Sequence, residues 1–173
     1  LQVELEGKRR ARLGKRGATV LFDFSAAFPS VDQVFLLQVL REIGFDEEWV
    51  RLISKFYNNN LQSIGGSSFE ASTGIRQGCP LSPLLFAIVA DVLLRRLGSK
   101  FPESAVRAFA DDTAMVVDDV GMLKEVPDEF DEYASFSNLY LNLKKTVVVP
   151  LYMTDLQKEK EEFGKVDGHF LQV

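Results

Sequence analysis

The chain of 173 residues is long enough for one domain with a real core, and its 46% hydrophobic and 26% charged residues exclude wholesale disorder. No apolar run approaches the roughly 18 residues that span a bilayer, and the first 17 residues are too charged to read as a signal peptide. One cysteine, Cys79, and one histidine, His169, exclude an internal disulfide, a cysteine-built zinc site and a paired-histidine metal site within this chain, and the net charge of −5 argues against nucleic-acid binding by the whole surface.

The acidic excess lies late: residues 1–117 carry 14 basic and 13 acidic side chains, whereas residues 118–173 carry 6 and 12. Within the first part "GKRRARLGKR" is strongly basic and can meet phosphate, although such a run by itself reads as a frayed, solvated end. "GATVLFDFSAAF" is rich in strand formers and ends its apolar run in Asp23. "PSVDQVFLLQVLREIGF" predicts a helix, with Ser30 and Gln33 as a capping box, Leu36, Leu40 and Ile43 as its apolar stripe and Gly44 as its stop. "DEEWVRLISKFYNNN" predicts a second, capped by Asp46, with Trp49, Ile53, Phe56 and Tyr57 on one face.

"LQSIGGSSFEASTGI" reads as a hairpin turning at Gly65 and Gly66. "SPLLFAIVADVLLRRLGS" is apolar almost all round and predicts a central buried helix, with Ser82 as N-cap, Pro83 in its first position and Gly98 at its end. "AVRAFADDTAMVV" is a second hairpin with Asp111 and Asp112 at its tip. "PDEFDEYASFSNLYLN" predicts a helix with Phe130, Tyr133 and Phe136 inward and Asn138 as a left-handed C-terminal residue. "KKTVVVP" is a last strand, and "LQKEKEEF" a short charged helix or tail. The order β-α-α-β-β-α-β-β-α-β suggests an antiparallel sheet with helices on one face, an α+β architecture. Residues 1–17 form a basic N-terminal segment, 18–150 the domain and 151–173 a charged tail.

Three places carry chemistry. Adjacent Asp111 and Asp112 repel; such a pair in isolation is most often a solvated turn, a reading that the apolar flanks on both sides make less comfortable, and a nearby positive charge would explain the pair better. If the hairpin neighbours the strand ending at Asp23, three hard carboxylates converge, a donor set suited to Mg²⁺ or Mn²⁺. In "GIRQGCPLSPLLF", Gly78 and Pro80 punctuate a loop running into a helix N-terminus, where Arg76 and Gln77 can bond a nucleotide or template base; an ordinary capped loop reads equally well. Lys144 and Lys145 of "LNLKKT" fit a solvated pair on residue type alone, or an acid beside a departing phosphate.

Together "LFDFSAAFPSVD", "GIRQGCPLSPLLFAIVADVLLRRL", "FADDTAMV" and "LNLKKT" resemble the successive palm motifs of reverse transcriptases, above all those of non-LTR (LINE-type) retrotransposons, over about residues 17–150. The resemblance implies a polymerase palm-like sheet with partial fingers and no thumb. It implies an RNA-directed DNA polymerase that adds dNTPs to a primer 3′-hydroxyl by two-metal phosphoryl transfer, with Mg²⁺ or Mn²⁺ as cofactor. Asp23 and Asp111 would be the principal metal ligands, Asp112 the second acid of the hairpin, and Phe24 the donor of a backbone carbonyl to a metal. Phe28 would crowd a 2′-hydroxyl beneath the nucleotide sugar. Arg76, Gln77 and Gly78 would line the nucleotide and template side, Phe109 would pack beside the primer end, and Lys145 would stand near the leaving pyrophosphate. Phe109 replaces a frequent tyrosine, and Ala26 and Pro29 stand where lysine and aspartate are common. The implied partners are an RNA template, a DNA primer, dNTP and the fingers and thumb segments of a longer polyprotein, in nucleus or cytoplasm and without a membrane. The chain alone is expected to polymerise weakly or not at all; the second reading is an inactive retroelement remnant that binds metal or nucleic acid weakly.

Overall fold

The computed structural model describes residues 2–57, 61–70 and 72–152; the charged segment "LQKEKEEF" lies outside them. Among the described residues a four-stranded antiparallel sheet has the order β4-β5-β1-β6, built from β1 (Ala18–Phe22), β4 (Ala105–Phe109), β5 (Asp112–Val117) and β6 (Val147–Pro150). β2 (Leu61–Ile64) and β3 (Ser67–Glu70) form a separate hairpin, which turns at Gly65 and Gly66, both at positive φ as a tight two-residue loop requires.

Alternation along β1 decides which face is covered. Ala18, Val20 and Phe22 are buried, whereas Leu21 is 46% exposed. The buried face packs against α5 (Ser82–Lys100) and α6 (Val126–Ser137), with α3 (Gln33–Glu42) beside them. In α5, Leu85, Phe86, Val89, Leu93 and Leu97 are all buried, and the buried Tyr133 of α6 donates its hydroxyl to the Val89 carbonyl at 2.9 Å.

Several expected details shift. Ser30 does not cap α3: it closes a one-turn helix, α2 (Ala27–Ser30), and the cap is Asp32, whose carboxylate accepts from the Phe35 amide at 2.7 Å. Ile43 is the C-cap and exposed; the stripe is Leu36, Val39 and Leu40, closed by Gly44 at φ 92°. In α4 (Glu47–Tyr57) Asp46 caps as expected, but the inward side is Val50, Ile53 and Tyr57, while Trp49 and Phe56 lie on the outer flank. Ser82 sits inside the first turn of α5, where its hydroxyl donates to the Arg76 carbonyl, and the helix runs through Gly98 to Lys100. Phe136 is exposed and meets Phe35 and Tyr133 from the rim; Asn138 takes the left-handed conformation expected of it.

The largest difference lies at the N-terminus. The basic run is not frayed: Gln2–Arg12 form α1, which lies on the otherwise open face of the sheet. Gly7 is buried there, and a β-carbon at its position would come within 2.9 Å of the Thr19 hydroxyl. Arg10 turns inward and bonds Asp118 at 2.6 Å and Glu6 at 2.8 Å, while Lys15 reaches the other Asp118 oxygen at 3.0 Å. These cations, Lys15 first, hold the Asp118 carboxyl below its ordinary pKa.

Candidate active site

The register of the sheet brings the acidic residues to one end. Phe22 of β1 pairs with Thr113 of β5, so the next step along each strand sets Asp23 level with Asp112. Asp112 pairs with Phe109 across the hairpin, and Asp111 sits in the two-residue turn between them. The Asp23, Asp112 and Phe109 positions thus form one row across three strands. The next row on the same face is Val147, Leu21, Ala114 and Arg107. A cleft of about 640 Å³ opens over these rows, lined by Leu21, Arg107, Phe109, Asp112 and Ala114, with Gln2 and Val3 of α1 at its edge. Asp111, Asp112 and Phe109 are exposed, Phe109 by 85%.

The chain beyond β1 is held by backbone bonds rather than by its carboxylate. The Asn142 amide donates to the Asp23 carbonyl at 2.7 Å and the Ser25 amide to the Tyr140 carbonyl at 2.8 Å. A turn follows in which the Lys145 and Thr146 amides both donate to the Asn142 carbonyl. That turn carries Lys145 Nζ to 3.8 Å from Asp23 Oδ2. Asp23 Oδ2 is itself buried and has no hydrogen-bond partner, an orphaned anionic oxygen that costs free energy unless a cation meets it. Lys144 is exposed on the same turn.

The other expected residues lie along a second side. Phe24 is buried with its ring 6.0 Å from Phe130, so only its backbone is available to a ligand. Phe28 is half-buried, its ring stacked on Phe86 at 4.4 Å. The Ile75 amide donates to the Phe28 carbonyl at 2.7 Å and the Gly74 amide to the Val31 carbonyl at 2.8 Å, fastening the segment before Arg76 to the segment after Asp23. Arg76, Gln77 and Gly78 are exposed, Gly78 at φ 85°, and run into α5. Burial raises the pKa of the Tyr57 hydroxyl, which sits by Cys79 and bonds the Arg76 backbone beneath this loop.

Two residues escaped sequence reasoning. Ala26 and Ala110 both take φ 52°, a left-handed conformation costly for a residue with a β-carbon. Each lies within three residues of an acid of the site, Ala110 immediately before Asp111. Alanine carries no sequence signal of positive φ, so nothing in the composition marks them.

The oxygen donors and the orphaned Asp23 Oδ2 suit a hard divalent cation. Among the described residues, however, no three His, Cys, Asp or Glu side chains already form a closed metal cluster. Asp23, Asp111 and Asp112 share one end of the sheet. No helix among the described residues is long and apolar enough to cross a membrane.

An antiparallel sheet backed by helices, with an acidic hairpin tip beside an acidic strand end, is the palm arrangement of nucleic-acid polymerases. The sequence profile described as "Reverse transcriptase (RNA-dependent DNA polymerase)" matches residues 4–164. The chain is 30% identical over 147 residues to the Pol polyprotein of the type-2 retrotransposable element R2DM of Drosophila melanogaster, covering 79% of this chain and 14% of that protein. It is 32% identical over 126 residues to the R2 Pol polyprotein of Popillia japonica, covering 64% of this chain and 20% of that protein. In fold it is similar to telomerase from Candida albicans, solved with a TWJ fragment of telomeric RNA, with a TM-score of 0.67 at 14% identity over 89% of this chain and 31% of that one. The chain belongs to the reverse transcriptase family, and its relatives are proteins of non-LTR retrotransposons. Members of this family generally use divalent metal ions.

Proposed function

We propose that this chain carries the catalytic palm of an RNA-directed DNA polymerase, joining a dNTP to a primer 3′-hydroxyl on an RNA template. The observation that carries the reading is the buried Asp23 Oδ2, which makes no hydrogen bond, on the same sheet end as Asp111 and Asp112. Asp23, Asp111, Asp112 and the Phe24 carbonyl would hold two divalent ions, Mg²⁺ or Mn²⁺. Such ions supply charge neutralisation for the attacking hydroxyl and for the pyrophosphate that leaves.

The chain's own residues position the reactants. Phe28, fixed against Phe86, would lie beneath the nucleotide sugar and exclude a 2′-hydroxyl by volume. Arg76, Gln77 and Gly78 border the nucleotide on the α5 side. Phe109, exposed beside Asp112, offers a flat surface to the primer terminus. Lys145, whose Nζ lies 3.8 Å from Asp23 Oδ2, would donate a proton to the departing phosphate oxygen. Catalysis on this scheme comes from positioning and electrostatics rather than from a covalent intermediate.

The second reading is a palm that binds metal or nucleic acid without turnover. Primer extension on an RNA template with Mg²⁺ or Mn²⁺, run beside Asp23→Asn and Asp111→Asn, separates the two. Extension that both variants abolish supports the polymerase. Its absence from the folded wild-type chain, even with fingers and thumb segments supplied in trans, leaves the second.

A further inference from the structure

The acidic end of the sheet repels the phosphates of the strand it has to receive, so a cation must lie along the path that strand takes away from the carboxylates. Arg107 has the required placement. It belongs to the edge strand β4, one row behind Phe109 and Asp112 on the same face, and it lines the cleft over that face. It is exposed, and its described partners are neutral: the Gln2 side-chain oxygen at 3.3 Å and the Val106 carbonyl at 2.7 Å. Four of the basic side chains of α1 and the turn after it are committed to acids, whereas Arg12 and Arg16 have no acidic partner among the described residues. Arg10 and Lys15 are tied to Asp118, Lys8 to Glu4 and Arg9 to Glu6. Among the described residues no carboxylate pairs with Arg107, so its guanidinium brings net positive charge to the cleft.

We infer that Arg107 is a positioning residue that grips a backbone phosphate of the primer strand just upstream of its 3′ end. This rests on the polymerase reading above. The register gives the distance: two residues along an antiparallel strand span about 7 Å. One phosphate of a helical strand follows another about every 3.4 Å of axis, so a primer ending over the Asp23–Asp112 row brings its phosphate about two nucleotides back to Arg107. A guanidinium offers a planar fork that matches two phosphate oxygens, and the neutral Gln2 oxygen holds that fork without cancelling its charge. Leu21 and Ala114, level with Arg107 on the neighbouring strands and one row behind the acids, give the sugar an uncharged surface to slide over.

The test uses the full chain and a primer–template duplex of DNA on RNA, read first by fluorescence anisotropy across a salt series. Arg107→Gln should weaken binding about 5- to 30-fold and lower the slope of log affinity against log salt by about 1, with Arg107→Lys recovering part of both. A neutral methylphosphonate moved one position at a time along the primer should weaken wild-type binding most about two nucleotides from the 3′ end, and Arg107→Gln should erase that dip. Circular dichroism should match wild type, because the side chain is exposed. Equal affinity and slope in Arg107→Gln, a dip on the template strand instead, or no duplex binding by wild type would each overturn the assignment. The polymerase reading is decided separately, by whether Asp23→Asn abolishes extension; where extension is measurable, Arg107→Gln should raise the primer KM and leave kcat unchanged.

Discussion

Gly74→Ala tests how the nucleotide side of the site is held. Gly74 takes φ 90°, and a β-carbon there would lie 2.5 Å from the Pro29 carbonyl oxygen and 2.9 Å from the Pro29 carbonyl carbon and Cα. All three are backbone atoms, so no side chain can swing aside. The positive φ alone costs about 1–2 kcal/mol for a residue with a β-carbon. Relief of the clash lengthens the Gly74 amide bond to Val31, 2.8 Å, and the Gln33 side-chain bond to the Gly74 carbonyl, 3.1 Å, each worth about 1 kcal/mol. The total is about 3–4 kcal/mol, a large share of the roughly 5–15 kcal/mol that stabilises a domain. Urea unfolding followed by far-ultraviolet circular dichroism should show the midpoint falling by about 1.5–2 M for an m-value near 2 kcal/mol per M. Gly98→Ala is the matched control: it lies inside α5 with no atom within 4 Å of the added carbon and should stabilise by about 1 kcal/mol. A Gly74→Ala protein within 0.5 kcal/mol of wild type would refute the claim that this close approach fixes Phe28 against the Arg76–Gly78 loop.

The ring of Phe28, stacked on Phe86, should act as the sugar gate, so Phe28→Val should raise the ratio of ribonucleotide to deoxyribonucleotide kcat/KM at least tenfold; an unchanged ratio in single-nucleotide incorporation would move the gate elsewhere. Glu129 is buried between Lys100 at 2.9 Å and Arg96 at 2.9 Å, and these cations, Lys100 first, hold its carboxyl below the ordinary 4.5. A depressed folded pKa means stability that is full above about pH 4.5 and is lost as the pH falls through the folded value. Glu129→Gln should therefore lower the unfolding free energy by about 2–3 kcal/mol at pH 7, with the gap from wild type closing below pH 4; a gap constant from pH 7 to pH 3 in thermal melts would exclude this linkage.

Local patterns carried much of the fold into the sequence. β1 with its terminal Asp23, the Gly65–Gly66 turn, Gly44 at the end of α3 and left-handed Asn138 were legible because each depends on a few neighbouring residues. What was not legible depends on distant ones. "GKRRARLGKR" reads as solvated until Asp118, 108 positions beyond Arg10, turns Arg10 inward. Ser30 outranked Asp32 as a cap because the one-turn helix α2, which absorbs Ser30, exists only where Gly74 and Ile75 hook onto the segment. The face of α4 was misjudged because a Trp at helical spacing satisfies an amphipathic pattern whether it points in or out, and contact with α3 decides. The acidic row could be named from its motifs, but only the register shows Asp112 level with Asp23, and only the Asn142 bond to Asp23 explains why Lys145 arrives there.

That architecture separates the chemistry from the fold, and the separation can be measured. The segment around Asp23 is secured by main-chain bonds to Tyr140 and Asn142, none of which uses the carboxylate. The carboxylate itself has an orphaned Oδ2, its nearest cation is a largely exposed lysine 3.8 Å away, and it shares its sheet end with two further acids. A carboxylate that makes no hydrogen bond, gains only a loose and largely exposed ion pair and sits near two like charges is held at a cost to stability, a cost that functional sites commonly bear. Asp23→Asn removes the charge and keeps the shape. Without divalent metal, in EDTA, the variant should melt no lower than wild type and up to about 2–4 °C higher, the shift that corresponds to roughly 1 kcal/mol in a chain of this size. Added Mg²⁺ or Mn²⁺ should then raise the wild-type midpoint in proportion to the logarithm of its concentration above the dissociation constant, and raise that of the variant less, so that the order of the two reverses. A variant that melts below wild type in EDTA would mean that the Asp23 charge supports the fold, and the Oδ2 atom without a hydrogen bond would no longer argue for a cation site.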